Sequence, residues 1–378
     1  MRDQRLDKLA DVLVRYSTGV KKGDLVGIVG DPIAMPAIEA VFEAVLKAGG
    51  HPFWRPSCHS LDELLMEHGT DEQVSHLNPL RVDFVEKVDV NIGFWSETNT
   101  KAASRIDPKR GAAARQTYQP TMKRFLERVA EGSLRWVGTL MPTQASAQDA
   151  EMSLAQYERF VFGAGMLHLD DPAMGWQSLR ESQQRACDFL QPRKELHFRA
   201  PARDGHDGTD LRVPMEGGTW VNCFGDQNFP DGEVFTGPQG ADGHVNYTFP
   251  CVYDGREVEG VRLAFRDGRV VEASASKNED YLIAMLDQDA GARNMGEIAI
   301  GTNYAIKEFS KNTLFDEKIG GTFHAAVGAG YPESGNTNES ALHWDMVCDL
   351  REGGSISADA EVFHENGRFQ HAGWPGND

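Results

Sequence analysis

Cysteine is scarce in this chain, and none of it is spaced for metal or redox work. Five cysteines, Cys58, Cys187, Cys223, Cys251 and Cys348, are scattered through 378 residues without a CxxC pair. That excludes a zinc ribbon, signals no disulfide framework and predicts a reducing compartment. Long apolar runs are also missing, and nothing approaches the roughly 20 residues needed to span a bilayer. The first residues, MRDQRLDKLADVLVRYSTGV, are charged and amphipathic, with Leu6, Leu9, Val12 and Leu13 at helical spacing, and lack the apolar centre of a signal peptide. The expectation is a soluble, cytoplasmic protein. Basic residues are outnumbered, 38 Lys and Arg against 57 Asp and Glu, for a formal net charge of −19. Such a field repels nucleic acid and anionic membranes, so neither is expected as a partner. The loop GIVGDP lacks both the P-loop Lys-Ser/Thr and the GxGxxG spacing, and reads as a plain strand-to-helix turn.

What remains is an ordinary globular composition, 40% hydrophobic and 25% charged, long enough for two or three domains. The first part alternates strand-like and helix-like segments. Leu25 to Val29 is a short apolar run, and Ala37 to Ala48 has helical period and stops at Gly49-Gly50. HPFWRP, VDVNIGFW and LRWVGTLMP read as further strands; Thr121 to Ala130, Leu154 to Phe162 and Trp176 to Leu190 read as helices. This alternation predicts an α/β domain with a mostly parallel sheet over residues 1–195. From Lys194 onward helical periodicity fades, and ELHFRAP, DLRVPM, WVNCF, VNYTFP and VRLAFRDGRVVEAS are short β-like runs between glycines. Asp254-Gly255 and Asp267-Gly268 are hairpin-turn signals, and HENGRFQHAGWPGND is a last hairpin or a frayed end. Residues 196–378 are expected to form an α+β domain rich in antiparallel strands that carries the metal site.

That site is expected from side chains strung through glycine-rich sequence. Glu233 lies in FPDGEVFTGP, Glu297 in NMGEIAIGTN, His324 and Tyr331 in DEKIGGTFHAAVGAGYPE, and His343 and Asp345 in SALHWDMVCD. Each alone has a plainer reading. PDGE is a common surface turn; Glu297 beside Ile298, Ala299 and Ile300 is either a strand-edge acid or a buried carboxylate in need of a cation; His324 alone reads as a core histidine. His343 and Asp345, as i and i+2 in a strand, project from one face and can meet one cation, although an H-x-D triplet is common. Together these oxygen and imidazole donors suit zinc, cobalt or manganese. They exceed what one zinc ion needs, and two metals bridged by a carboxylate would use them.

With PDGEVFT, GEIAIGTN, DEK followed by His324, the Gly-Tyr-Pro after it, and SALHWD, the chain resembles the M29 metallo-aminopeptidases, also called the thermophilic aminopeptidase T family. The resemblance runs through most of the chain. It implies release of N-terminal residues from short peptides, with two divalent metal ions per chain (zinc, cobalt, manganese or magnesium) and a homodimer with an internal cavity. It implies Glu233, Glu297, His324, His343 and Asp345 as metal ligands, Glu297 as the bridging carboxylate, and Glu317 as a further ligand. Tyr331 would hydrogen-bond the tetrahedral intermediate, and Glu233 or Glu317 would carry a proton to the leaving amine. In two places the chain departs from the family pattern: more residues separate Glu317 from His324, and PESGNTNESAL is shorter than the usual insertion.

The resemblance extends to non-haem Fe(II) dioxygenases that open dihydroxypyridine rings, which would use the two histidines and Asp345 on one iron. Glu233 and Glu297 have no place in such a triad. A scaffold protein with a vestigial site is the third reading, and failure to bind any metal would favour it.

Overall fold

Short apolar runs separated by amphipathic segments can bury themselves only by pairing side by side under a cover of helices, and the N-terminal part of the chain does so. The computed structural model describes residues 2–102, 106–203, 205–253 and 255–377. They fall into two units, one of residues 1–173 with 225–230, the other of 174–224 with 231–378.

In the first unit the strands His51–Pro56, Leu25–Gly30, Val90–Trp95, Arg135–Leu140 and Asn228–Phe229 lie in that order in one sheet, and every pairing is parallel. Val26, Ile28, Ile92 and Val137 are wholly buried in it. Helix Met35–Ala48 ends where Gly49 turns left-handed at φ 85°, a conformation that a side chain would strain. Helical period predicts a helix only from Thr121, yet it begins at Pro108, with Asp107 capping the backbone N–H of Lys109. Pro120 and the polar residues of that first half hide the period. No helix among the described residues is long and apolar enough to cross a membrane.

The second unit is built mainly of antiparallel strands. An eight-stranded sheet contains Glu195–Ala200, Thr209–Pro214 and the hairpin Arg262–Arg266 with Arg269–Ser274. Asp267 and Gly268 turn that hairpin at φ 50° and 78°, as an Asp-Gly turn should. The last residues form a second hairpin, Glu361–Glu365 with Arg368–Phe369. Asp254 lies outside the described residues, although the strands on either side of it pair. A five-stranded antiparallel sheet runs in the order His343–Asp349, Thr322–Gly328, Met295–Gly301, Glu233–Thr236, Val221–Cys223. The architecture is therefore the expected one: an α/β part with a parallel sheet, then a part rich in antiparallel strands.

Candidate metal centre

Because side chains alternate along a strand, the five-stranded sheet separates apolar from reactive residues. Val234, Ile298, Ile300, Phe323, Ala325, Val327, Trp344, Met346 and Cys348 all belong to the core of this unit. The intervening positions share the other face, since antiparallel partners point the same way. Glu297 pairs with Ala326, which pairs with Asp345; Gly328 pairs with His343; Ala299 pairs with His324; Gly301 and Cys223 both pair with Glu233. Ala299, Ala326, Gly301 and Gly328 leave room above the sheet for the longer groups between them.

Two glycines set the carboxylates at the strand ends. Gly232 precedes Glu233 at φ 122°, and a Cβ there would come within 2.7 Å of Asn303 Cβ. Gly296 sits where the register slips between Met295 and Glu297, and a Cβ there would meet the Ala329 carbonyl oxygen at 2.3 Å. Such a bulge re-aims the next side chain. Glu317 comes from outside the sheet, as the residue that ends the short helix Thr313–Asp316.

Both imidazoles are locked by the backbone. His324 Nδ1 donates to the Glu317 carbonyl at 3.0 Å, and His343 Nδ1 to the Ala329 carbonyl at 2.8 Å. Each ring therefore turns Nε2 inward, the arrangement that second-shell bonds impose on metal-binding histidines. His324 Nε2 lies 3.1 Å from Glu297 Oε1, 3.6 Å from Glu233 Oε2 and 3.8 Å from Asp345 Oδ1. His343 Nε2 lies 3.4 Å from Asp345 Oδ1 and 3.8 Å from Glu297 Oε2. Glu233, Glu297 and His324 are buried; Glu317, His343 and Asp345 are partly so.

Packing several carboxylates away from water starves them of positive charge. Burial pushes the Glu233, Glu297 and Glu317 carboxyls up. Burial works against protonation of both imidazoles too, but the carboxylates outweigh it. Glu297, Glu233 and Asp345 push His324 up to about 10, and Asp345 and Glu297 push His343 up to about 10. Burial also opposes ionisation of Asp345, yet His343, His324 and Lys318 hold it well below the usual carboxylate range.

The donor set fits divalent cations. Glu233 with Glu297 and His324, Glu297 with His343 and Asp345, and Glu317 with His324 and Asp345 each bring three ligand atoms within 4.8 Å of one another. Glu233 Oε2 and Asp345 Oδ1 are buried without a hydrogen-bond partner among the described residues, although both face imidazole nitrogens. Lone pairs converging in this way need either protons or a metal between them.

All six residues expected as ligands meet in this cluster. Tyr331 stands at its rim, 41% exposed, with its ring edge-on to His343 at 5.0 Å and to Phe235 at 5.7 Å. Sequence reasoning missed three neighbours. Lys318 and Asp231 are buried beside Glu233, and Cys223 makes a further close group with Asp231 and Glu233. The only signal for Lys318 was its place directly after Glu317, and a lone lysine ordinarily reads as surface.

One face of the antiparallel sheet, given over to carboxylates and imidazoles, offers the donors that a metal-dependent enzyme needs. The chain matches the family described as Thermophilic metalloprotease (M29) over residues 2–369 and belongs to that family. It is accordingly a metal-dependent hydrolase of peptide bonds. It is 27% identical to Aminopeptidase 2 of Geobacillus stearothermophilus, over 91% of this chain and 92% of that one. It is 26% identical to Aminopeptidase T of Thermus thermophilus, over 96% of each. Wild-type AmpT from Thermus thermophilus shares the fold at a TM-score of 0.84 and 22% identity, covering 97% of this chain and 99% of that one. The fold of 2,5-dihydroxypyridine dioxygenase from Pseudomonas putida KT2440 matches at 0.57 with 14% identity, over 96% of each chain.

Proposed function

We propose that this metallopeptidase is an aminopeptidase that releases N-terminal residues from short peptides with two divalent metal ions per chain. One observation carries the metal count. The two oxygens of Glu297 divide between the imidazoles, Oε1 toward His324 and Oε2 toward His343, so one carboxylate belongs to two ligand groups. Glu233, Glu297 and His324 would hold one ion, and Glu297, His343 and Asp345 the other, with Glu317 beside both. Zinc, cobalt, manganese and magnesium all suit such donors. Bound by these residues, a metal pair would lower the pKa of a water and polarise a carbonyl.

The chain's own groups supply the rest. Cleavage from a free N-terminus agrees with the names of the relatives, which are aminopeptidases. Glu317, its carboxyl pushed up by burial, takes a proton from the attacking water and returns it to the leaving amine. The Tyr331 phenol, at the open rim, donates to the oxygen that gains charge as the carbonyl becomes tetrahedral. The dioxygenase likeness is one of fold alone, and buried Glu233 and Glu297 bring charge that a triad of His324, His343 and Asp345 on iron does not use. A homodimer in the cytoplasm belongs to the same reading, and sedimentation of the purified protein tests the dimer.

The test is hydrolysis by metal-stripped protein before and after addition of Zn²⁺, Co²⁺, Mn²⁺ or Mg²⁺, using dipeptides with free and with acetylated amino termini. Restored cleavage of the free-amine set alone is expected. Equal cleavage of acetylated peptides would rule out an aminopeptidase. No cleavage with any metal would sink the reading and send the protein to Fe(II), oxygen and dihydroxypyridines.

A further inference from the structure

A lysine with no exposed side-chain surface stands inside the centre. Lys318 Nζ touches Glu317 Oε1 and lies 3.3 Å from Glu233 Oε1 and 3.8 Å from Asp231 Oδ1. Burying an ammonium is costly unless carboxylates compensate it, and three do so here. Glu233 is thereby divided, with Oε1 turned to Lys318 and Oε2 to His324.

The charges around it balance in a specific way. Asp231, Glu233, Glu297, Glu317 and Asp345 bring five negative charges to one buried region. Two divalent cations would bring four positive charges, and Lys318 brings the fifth. Two of the carboxylates it faces, Asp231 and Glu233, also belong to a second group, since Cys223, Asp231 and Glu233 offer three ligand atoms within 4.8 Å of one another. A thiolate with two carboxylates is a competent donor set for a borderline cation.

We propose that Lys318 is a built-in third cation, whose ammonium fills the Asp231–Glu233–Glu317 corner, closes it to a third metal ion, and leaves Glu233 Oε2 for the metal pair. Lys318 is thus a positioning residue, and the inference rests on the two-cation reading above.

The experiment is titration of the metal-stripped full chain with Co²⁺, read by metal content after desalting and by absorption. Wild type is expected to saturate at two equivalents with no thiolate-to-cobalt charge-transfer band. Lys318→Met and Lys318→Gln each gain one equivalent over wild type together with that band, and Lys318→Met combined with Cys223→Ser loses the band. Variants that stay at the wild-type stoichiometry overturn the proposal. So does a thiolate band in the wild-type protein, a result that requires no variant to fold. Wild type saturating below two equivalents would instead sink the two-cation reading, and the gain of one equivalent on removing Lys318 would still decide the role of the lysine.

Discussion

Reloading the stripped enzyme with metal should release protons, and the structure says how many. In the metal-free protein the carboxylates hold the His324 and His343 imidazoles at about 10. At about pH 7.5 both are therefore protonated, each favoured over the neutral ring by about 3 kcal/mol at about 1.4 kcal/mol per pH unit. A cation can bind Nε2 only after that proton leaves. Loading both histidines should then release at least two protons per chain, and the logarithm of the overall affinity should rise by about two for each pH unit between about 7 and 9. The same shifts set the stability of the stripped protein. A histidine whose folded pKa is raised stabilises fully below its unfolded value of 6.5, and this stabilisation is lost as pH climbs toward 10. The metal-free chain should therefore weaken across that alkaline window while the loaded enzyme, its histidines already neutral, does not. Calorimetric titration with Zn²⁺ in buffers of different ionisation enthalpy counts the protons. A release near zero, with an affinity indifferent to pH, would refute the claim that these carboxylates hold the imidazoles charged.

Glu297→Gln keeps the shape of the shared ligand and removes its charge. It should abolish metal-dependent hydrolysis and lower the bound metal, with an unchanged circular dichroism spectrum; full turnover would remove Glu297 from the shared position. Tyr331→Phe should lower kcat by about 10²–10³, the usual cost of losing one donor to a developing oxyanion, at unchanged metal content. An equal loss of bound metal would show that the phenol serves the ligands instead. Away from the site, His364 is wholly buried, with neither ring nitrogen hydrogen-bonded among the described residues. It packs against Phe369 at 4.9 Å, and burial pushes it down to about 3. A depressed histidine stabilises above its unfolded value and loses that contribution as pH falls. His364→Leu should therefore outlast wild type in urea by a margin that widens by about 2 kcal/mol from about pH 7.5 to about pH 5; parallel curves would show that His364 titrates normally.

Much of this protein is decided locally. Alternation along a strand is a property of the backbone, so the placing of Glu297, His324, His343 and Asp345 on one face opposite Ile298, Phe323 and Trp344 is already written in NMGEIAIG, GGTFHAAVG and SALHWDMVCD. The glycine ends and hairpin turns, at Gly49 and at Asp267-Gly268, are equally local. Where a local signal is muted, as in the polar stretch before Pro120, the element is lost to sequence reasoning. Tertiary structure decides the rest. Which strands become neighbours, and therefore that Glu297 lies between two imidazoles, depends on pairings between segments far apart in the chain. The backbone carbonyls of Glu317 and Ala329 that orient His324 and His343 have no signature in side-chain letters. Lys318 depends on this most of all. Sequence supplies a lysine that would ordinarily be on the surface, and only the convergence of Asp231, Glu233 and Glu317 around it makes its burial affordable, because a charge leaves water only where opposite charges are already in place.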